Sequence, residues 1–229
     1  MKNSTPKTDT PHSVLHITNG DYFNRYFLSE FGGEAIPFRE VMMEGDTLPE
    51  IFEKTFFALR AKELGVSIDE YKAKACVYDA LQNNTYEELH LWFGKDTFCQ
   101  VNLLTLLAYL ELTSYMGRVF VNYIDDESFA ILEKGIPVTL GGYYKLYEDI
   151  LIKKRQPIDV GVLDKNAIAL YFDYHAPTGK LSRLAQENAK MEKQALLALL
   201  IEHSKEYGLA TWQVEKLLQA NKKQEQTDE

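Results

Sequence analysis

Short apolar runs alternate with longer amphipathic stretches through the first half of the chain. Four of these runs have the length and apolar continuity of buried strands. They are SVLHI, which ends at Thr18, then EAIPF, ELHLWF and GRVFVNYI. Between them, DYFNRYFLSEF has helical aromatic spacing and stops at Gly32-Gly33, and FCQVNLLTLLAYLEL is a strongly apolar helix. This alternation predicts an α/β fold with a Rossmann-like three-layer arrangement around a parallel sheet.

Two helix-start signals lie between the second and third predicted strands. Thr47 has Glu50 three residues on, and Ser67 has Glu70 at the same spacing, which is the pattern of a capping box. Pro49 suits the first turn of the first helix. We therefore predict helices near 48–64 and 68–82, which form a helical hairpin inserted between these strands.

The pattern changes after Asp125. One predicted helix opens after Gly142, another halts before Pro177, a third covers ENAKMEKQALLALLIEHSKEYG, and a fourth starts with Thr211 as its N-cap. We expect an all-helical C-terminal region, which is either a separate subdomain or a helical cover on the sheet. The predicted organisation is a disordered tail over 1–12, the Rossmann-like domain over 13–125, the helical region over 126–220 and a disordered tail over 221–229.

The net charge of the chain and the length of its apolar runs limit the kinds of molecule or membrane that it is expected to bind. The formal net charge is −9 at pH 7, which disfavours a general nucleic-acid or anionic-membrane binder. The last two predicted helices have the outline of a helix-turn-helix, but Glu215 and the acidic charge make helix packing the expected role. The polar N-terminus has no signal-peptide core, and no apolar run approaches the roughly 20 residues that span a bilayer. The expected compartment is the cytoplasm.

The two cysteines do not indicate a metal centre or a disulfide framework. Cys76 and Cys99 both fall in helical apolar patterns, and neither has a metal-type partner at short spacing. We expect buried free thiols.

Three motifs occur in order along the chain: HITNGD, FREVMMEG and LWFGKDTFCQVNLLTLLAYL. Together they resemble a bacterial family known as domain of unknown function 1835, over roughly residues 13–125. Its members read His-x-x-Asn-Gly-Asp, then Trp-Arg-Asp before Glu-Gly-Pro, then Leu-Trp-Phe-x-x-Asp-x-x-x-Gln. The resemblance implies no activity, because the family has none assigned. The matching residues are His16, Asn19, Gly20, Asp21, Arg39, Glu44, Gly45, Leu91, Trp92, Phe93, Asp96 and Gln100.

The chain departs from this pattern at three positions. Phe38 stands where Trp is usual and Glu40 where Asp is usual, and both replacements preserve the chemical character. Asp46 stands where Pro is usual. It changes the turn and adds a carboxylate near the candidate site.

The motifs are predicted to meet at one edge of the sheet. Each follows a predicted strand, and ligands of open parallel sheets bind outside the carboxyl ends of the strands. We therefore expect one cleft there, in which Arg39 holds an anion and Asp21, Glu44 and Asp96 act as acid/base groups or Mg²⁺ ligands. His16 is a further catalytic candidate, because of its pKa range. The candidate ligand-binding residues are Asn19, Gly20, Arg39, Trp92 and Gln100.

Structural roles are open for the same residues. Asp21 has the character of a helix N-cap, Gly20 of a positive-φ turn, and Thr97 with Gln100 of a capping box. Arg39 either binds an anion or pairs with Glu44 or Glu40.

Three aromatic residues also have structural alternatives. His16 and His90 approach each other if their strands are parallel neighbours, and both are expected as core histidines. Trp92 is either a core residue of the sheet or the wall of a pocket.

Two functions from different classes remain. Dinucleotide, P-loop, hydrolase and zinc motifs are all missing from the sequence, so NAD, P-loop and zinc chemistry are disfavoured. The first hypothesis is a protein that binds a small anionic or nucleotide-like molecule and acts as an enzyme, with Mg²⁺ as the candidate cofactor. The alternative is a non-catalytic adaptor or regulatory protein whose helical C-terminus docks a partner. Whether it forms a homodimer is left open.

Overall fold

The computed structural model describes residues 12–83 and 86–227, and a five-stranded sheet lies at its centre. The strand order is β2-β1-β3-β4-β5. The first four strands are parallel and β5 is antiparallel to β4. The α/β class with a mostly parallel sheet is therefore confirmed. The strands are β1 (His12–Asn19), β2 (Ala35–Phe38), β3 (Tyr86–Gly94), β4 (Arg118–Ile124) and β5 (Ile131–Val138).

Helices connect and cover these strands. Helix α6 continues without a break into a π-helical turn at Glu148–Ile152, and a 3₁₀ turn at Lys205–Tyr207 precedes the last helix. The α-helices are α1 (Asp21–Glu30), α2 (Lys54–Glu63), α3 (Ile68–Lys74), α4 (Cys76–Asn83), α5 (Thr97–Leu112), α6 (Tyr143–Tyr147), α7 (Lys165–His175), α8 (Lys180–Glu187), α9 (Lys193–His203) and α10 (Thr211–Thr227).

The two faces of the sheet bury different cores, because side chains alternate along a strand. Leu15 and Leu91 belong to the large core that also contains α5. Trp92 belongs to a smaller core with Phe23 and Phe27 of α1. Helix α1 therefore covers one face and α5 the other, which is consistent with a Rossmann-like arrangement.

The first predicted helix of the inserted hairpin starts later than expected. The capping box at Thr47 is wrong: its hydroxyl lies 2.5 Å from the Tyr147 hydroxyl, and helix α2 begins at Lys54. Phe52 precedes the helix with a φ of 62° and is 2% exposed. Burial of this ring against Tyr109 and its neighbours outweighs the local helix-start signal.

The second predicted helix is divided in two. Ser67 caps α3 as predicted, because its hydroxyl accepts the Glu70 N–H at 3.1 Å. The chain then leaves helical geometry at Ala75, and α4 starts at Cys76. The Cys76 thiol donates to the Pro37 carbonyl at 3.1 Å, so a contact with β2 directs the chain at this break.

The C-terminal region is not all-helical. Strand β5 lies within 126–220, on the edge of the sheet, and most of its side chains are exposed. The predicted helix over ENAKMEKQALLALLIEHSKEYG covers the end of α8, α9 and the 3₁₀ turn, and α8 was missed. Helix α10 begins with Thr211 as its first helical residue, one position from the predicted start with Thr211 as the N-cap. It runs to Thr227, into the segment predicted as a tail. Residues 1–11 of the other predicted tail, and 228–229, lie outside the described residues.

The strand order defines where a ligand crevice is expected. Strand β1 lies between β2 and β3, so the connections from β1 and from β3 lead to opposite sides of the sheet. This reversal is the topological switch point, at the carboxyl ends of β1 and β3. Among the described residues, no helix combines the length and the apolar character needed to cross a membrane.

Candidate functional site

The end of β1 is held by the first turns of α5. The Asn19 amide donates to the Cys99 sulfur at 2.8 Å, and its carbonyl oxygen accepts from Asn102 at 3.1 Å. Asn102 is fully buried and also donates to the Glu40 carbonyl at 2.7 Å. Its own side-chain oxygen accepts the Met42 N–H at 3.1 Å. Asn102 therefore connects two motif loops, and it was missed because it lies within an apolar helix.

Asp21 and Arg39 form an ion pair across two loops. The N-cap of α1 is Gly20, with φ 80°, so the alternative in which Asp21 caps this helix is wrong. Instead the Arg39 guanidinium donates to the Asp21 carboxylate from Nε at 2.9 Å and from Nη2 at 2.7 Å. These bonds hold the pKa of Asp21 below its ordinary value.

Arg39 retains donors for another partner. The predicted structural partners Glu44 and Glu40 are not its partners; Asp21 is. Its Nη1 donates to the Cys76 sulfur at 3.3 Å, and the side chain is 31% exposed. A guanidinium carries five N–H donors, so two remain without a partner among the described residues, and Arg39 lines the adjoining cleft described below.

The side chain of Arg60 forms hydrogen bonds to several carbonyl groups of the loop after Arg39. Arg60 is fully buried in α2 and donates to the carbonyl groups of Val41 at 2.8 Å, Glu44 at 2.7 Å and Asp46 at 2.9 Å. Its Nε has no hydrogen-bond partner among the described residues and lies 3.9 Å from Glu40 Oε2. The only sequence signal for this role was that Arg60 lies inside a predicted helix. Nothing in the sequence distinguishes a buried arginine there from an arginine that faces solvent.

Glu40 is buried below this loop. The Tyr71 hydroxyl donates to Glu40 Oε1, while Glu40 Oε2 meets no donor in the part of the chain that the structure describes. Burial raises the pKa of Glu40, and the neighbouring Arg60 only partly opposes this. The carboxyl group is therefore shifted towards its neutral form.

Glu44 connects the loop of the second motif, FREVMMEG, to the C-terminal helices. We call this loop the motif loop. Glu44 is 4% exposed. Its Oε1 accepts from the Tyr174 hydroxyl at 2.6 Å and from Gln213 Nε2 at 3.1 Å, and its Oε2 pairs with Lys216 Nζ at 2.7 Å. All three donors lie in the C-terminal region, where the sequence had offered no partner for this carboxylate.

A cleft of about 490 Å³ opens beside the carboxyl end of β2, and we call it the strand-end cleft. Its walls come from the motif loop, from the hairpin of α2 and α3, and from α10. Four side chains of the lining are basic. The residues that line it are Arg39, Glu40, Val41, Glu44, Lys62, Glu63, Leu64, Gly65, Val66, Tyr71, Lys74, Trp212 and Lys216.

A second polar cluster lies at the ends of β3 and β4. Asp96 is the N-cap of α5 and accepts the Cys99 N–H at 2.9 Å. One ligand atom each from Asp96, Cys99 and Asp126 lie within 4.8 Å of one another. The Asp126 carboxyl group packs onto Gly94, although the residue as a whole is exposed. These three side chains have the spacing to hold a metal ion.

The two carboxyl groups of this cluster interact strongly. Desolvation and the adjacent Asp96 carboxyl group raise the pKa of Asp126 to about 8. Burial and both carboxyl groups raise the pKa of the Cys99 thiol well above its ordinary value. At neutral pH the Asp126 carboxyl group is therefore shifted towards its protonated form, and Cys99 is a thiol.

Gln100 is a structural residue. The proposed capping box with Thr97 is wrong, since the Thr97 hydroxyl donates to the Ala167 carbonyl at 3.0 Å. Gln100 donates to the Gly94 carbonyl at 2.5 Å and accepts the Asp164 N–H at 2.8 Å. It joins the end of β3 to the segment before α7.

His16 and Trp92 lie on the α1 face of the sheet. The Trp92 indole donates to His16 Nδ1 at 3.1 Å, and desolvation with the nearby His90 lowers the pKa of His16 to about 4. The His16 and His90 rings are 5.1 Å apart, as parallel neighbouring strands predicted. Trp92 is 2% exposed and belongs to the core of this face.

The candidate residues thus divide into separate groups. Arg39 and Glu44 line the strand-end cleft, and Asp21 adjoins it through Arg39. Asn19 and Asp96 lie in the polar cluster with Cys99. Sequence reasoning missed several residues of both groups: Arg60, Lys62, Tyr71, Lys74, Asn102, Asp126, Trp212 and Lys216.

Comparison of the chain with protein-family models, with curated proteins and with solved structures finds no match. The resemblance to the family of unknown function rests on the three motifs alone.

Proposed function

We propose that this protein binds a small anionic ligand in the strand-end cleft. The observation that carries the proposal is the balance of charge in the lining. In a chain whose net charge is −9, four basic residues line this cleft beside three acidic ones, and burial shifts one of these acids, Glu40, towards its neutral form. The basic residues are Arg39, Lys62, Lys74 and Lys216, and the acidic ones are Glu40, Glu44 and Glu63. Lys62 makes no ion pair within the described part of the chain, and Lys74 pairs only with the exposed Glu70. A local cluster of basic groups concentrates anions even on an acidic protein.

The rest of the lining favours a ligand with a planar or apolar body. Val41, Leu64 and Val66 provide apolar walls, Tyr71 lies at the floor, and Trp212 at the rim is 46% exposed. A volume of about 490 Å³ suits a small organic molecule. Apolar walls, an aromatic ring and basic groups together support a nucleotide-like ligand.

The proposal is for binding, because the acidic candidates are placed poorly for reaction in this cleft. Asp96 and Asp126 do not line it, and Glu44 already accepts three hydrogen bonds. The enzyme hypothesis extends this proposal to a second place. It assigns acid/base or Mg²⁺-assisted chemistry to the Asp96–Asp126 pair. The contacts of Glu44 anchor α7 and α10 to the chain's own loop, which disfavours the adaptor alternative.

The test compares anion binding with and without Arg39. Nucleoside monophosphates, sugar phosphates and dicarboxylates are screened by the shift in melting temperature, and calorimetry measures the Kd of each compound that binds. We expect Arg39→Gln to weaken binding by about tenfold, the equivalent of about 1.4 kcal/mol for a charged hydrogen-bonded contact. Arg25→Gln is the matched control, since Arg25 lies over Tyr22 on α1 and does not line the cleft.

The melting temperature of the unliganded Arg39→Gln protein separates binding from folding. The Asp21–Arg39 pair is exposed, so its loss costs less than about 1 kcal/mol. The proposal is wrong if no anion of the panel shifts the melting temperature of the wild type, or if both arginine variants bind equally well.

A further inference from the structure

A second cleft lies on the other side of the Glu44–Lys216 ion pair. It measures about 400 Å³, and we call it the helix cleft. Its lining includes Lys154, His175 and Ser182, together with Glu44 and Lys216. Since these last two residues line both clefts, their ion pair is the partition between them.

The two side chains of the partition differ in freedom. Glu44 is fixed, and Lys216 is a long side chain of a flexible type. Glu44 is buried and keeps the Tyr174 and Gln213 donors on Oε1 when Lys216 moves away. The Lys216 side chain is 56% exposed and bonds only Glu44 Oε2 among the described residues. An anion that competes for Lys216 therefore opens a passage between the clefts and leaves the position of Glu44 unchanged.

Lys154 supplies a second basic group in the helix cleft. It makes no ion pair within the described residues, and its Nζ donates to the Tyr171 hydroxyl at 2.6 Å. Its neighbour Lys153, in contrast, pairs with both Glu148 and Asp149. Lys154 also has a φ of 51°, in the left-handed region that is unfavourable for residues other than glycine. The chain therefore holds this lysine in the cleft wall in a strained conformation. The acid that acts on its charge is Asp46, with which it forms no ion pair among the described residues.

The other groups of the helix cleft favour a polar anionic ligand group. Desolvation lowers the pKa of His175 to about 4, so its ring is neutral; it hydrogen-bonds the Met43 backbone and keeps one acceptor nitrogen. Ser182 adds a hydroxyl group, while Asp46 is the second acid of the lining beside Glu44. Lys154 and Lys216 are the basic groups that an anion meets there.

We propose that the ligand is an elongated molecule with two separated anionic groups. One group binds near Arg39 in the strand-end cleft, the body passes Lys216, and the second group binds Lys154 in the helix cleft. This inference rests on the proposed function of the strand-end cleft, and it adds the ligand class. Lys216 changes partner from Glu44 to the ligand when the ligand binds.

The experiment uses alkanediol bisphosphates of increasing chain length and the matching monoalkyl phosphates. Calorimetry on the full chain measures the Kd of each pair. At the chain length that fits both clefts, we expect the bisphosphate to bind roughly twofold to fivefold more tightly than the monophosphate, about the value of one further ion pair. Lys154→Gln should abolish this gain of the bisphosphate over the monophosphate, while Lys153→Gln should keep it.

The outcomes separate this inference from the proposed function. If monophosphates bind and Arg39→Gln weakens them, but bisphosphates of every length gain nothing, the strand-end cleft stands and the two-group ligand is wrong. A gain that survives Lys154→Gln also overturns the inference. If neither series binds the wild type, the proposed function fails and the inference fails with it.

Discussion

The carboxyl groups of Asp96 and Asp126 lie together where β3 and β4 end. Both aspartates are present in the printed sequence, but only Asp96 was predicted as a site residue. Asp126 lies beyond the last predicted strand of the domain, and its partner is thirty positions earlier in the chain. Desolvation and the adjacent Asp96 carboxyl group raise the pKa of Asp126. The residues next to Asp126 in the sequence do not indicate this shift.

The pH dependence of stability tests this pair. A carboxyl group whose pKa is higher in the folded state binds its proton more tightly there, so the free energy of unfolding falls as pH rises from the unfolded pKa to the folded pKa. For Asp126 this range extends from 3.8 to about 8. His16 and His175 have pKa values lowered from 6.5 to about 4, so they change stability only below pH 6.5.

We therefore expect the wild type to lose stability between pH 6.5 and pH 8, and Asp126→Asn to lose less. Urea unfolding at several pH values measures both free energies. Asp125→Asn is the neighbouring control, since hydrogen bonds from Ser128 lower the pKa of Asp125 and keep it ionised across this window. Parallel curves for the wild type and Asp126→Asn would contradict the raised pKa of Asp126.

At the scale of elements, local signals located helices well where packing agreed with them. The apolar run after Asp96 forms α5, which is buried over most of its length, and Ser67 caps α3. The signals failed where a tertiary contact competed. Thr47 bonds Tyr147 in place of capping a helix, and Cys76 bonds the Pro37 carbonyl where the predicted helix breaks. Both partners are distant in sequence, so no local pattern contains them.

Helix α2 and the motif loop are joined by one side chain. Arg60 satisfies three loop carbonyl groups, and its replacement by Met leaves them buried without a donor. We expect Arg60→Met to lower the free energy of unfolding by about 3–5 kcal/mol, measured by urea denaturation. The exposed control Arg25→Met should change it by less than about 0.5 kcal/mol. A loss of under about 1 kcal/mol for Arg60→Met would mean that water or the Met side chain compensates.

At the scale of the whole molecule, the sheet and the C-terminal helices bury one continuous core. Leu15 of β1 belongs to the same buried cluster as Leu200 of α9 and Val214 of α10. The C-terminal helices reach this core through contacts with α5 and with one another. The predicted boundary at 125 is crossed by β5 pairing with β4.

A continuous core predicts a single unfolding transition. Trp92 lies in β3 and Trp212 in α10, so Trp212→Phe and Trp92→Phe leave one fluorescent reporter in each half. We expect the fluorescence midpoint of each variant in urea to coincide with its own midpoint by circular dichroism, because neither half keeps its core alone. Two separate midpoints would show that the helices form an independent unit.

Taken alone, the sequence determined the periodicity of the elements: four strands, the helices that follow them and the loops that carry polar groups at their ends. These follow from local spacing, because burial of one face requires apolar residues at the period of the strand or helix. The tertiary structure alone decided the partners. It paired Arg39 with Asp21, tied Glu44 to the C-terminal helices, placed Asp126 beside Asp96 and added β5 to the sheet edge. Charges and hydrogen-bonding groups act over a few ångströms of space, and the chain brings together groups whose separation in sequence has no characteristic period.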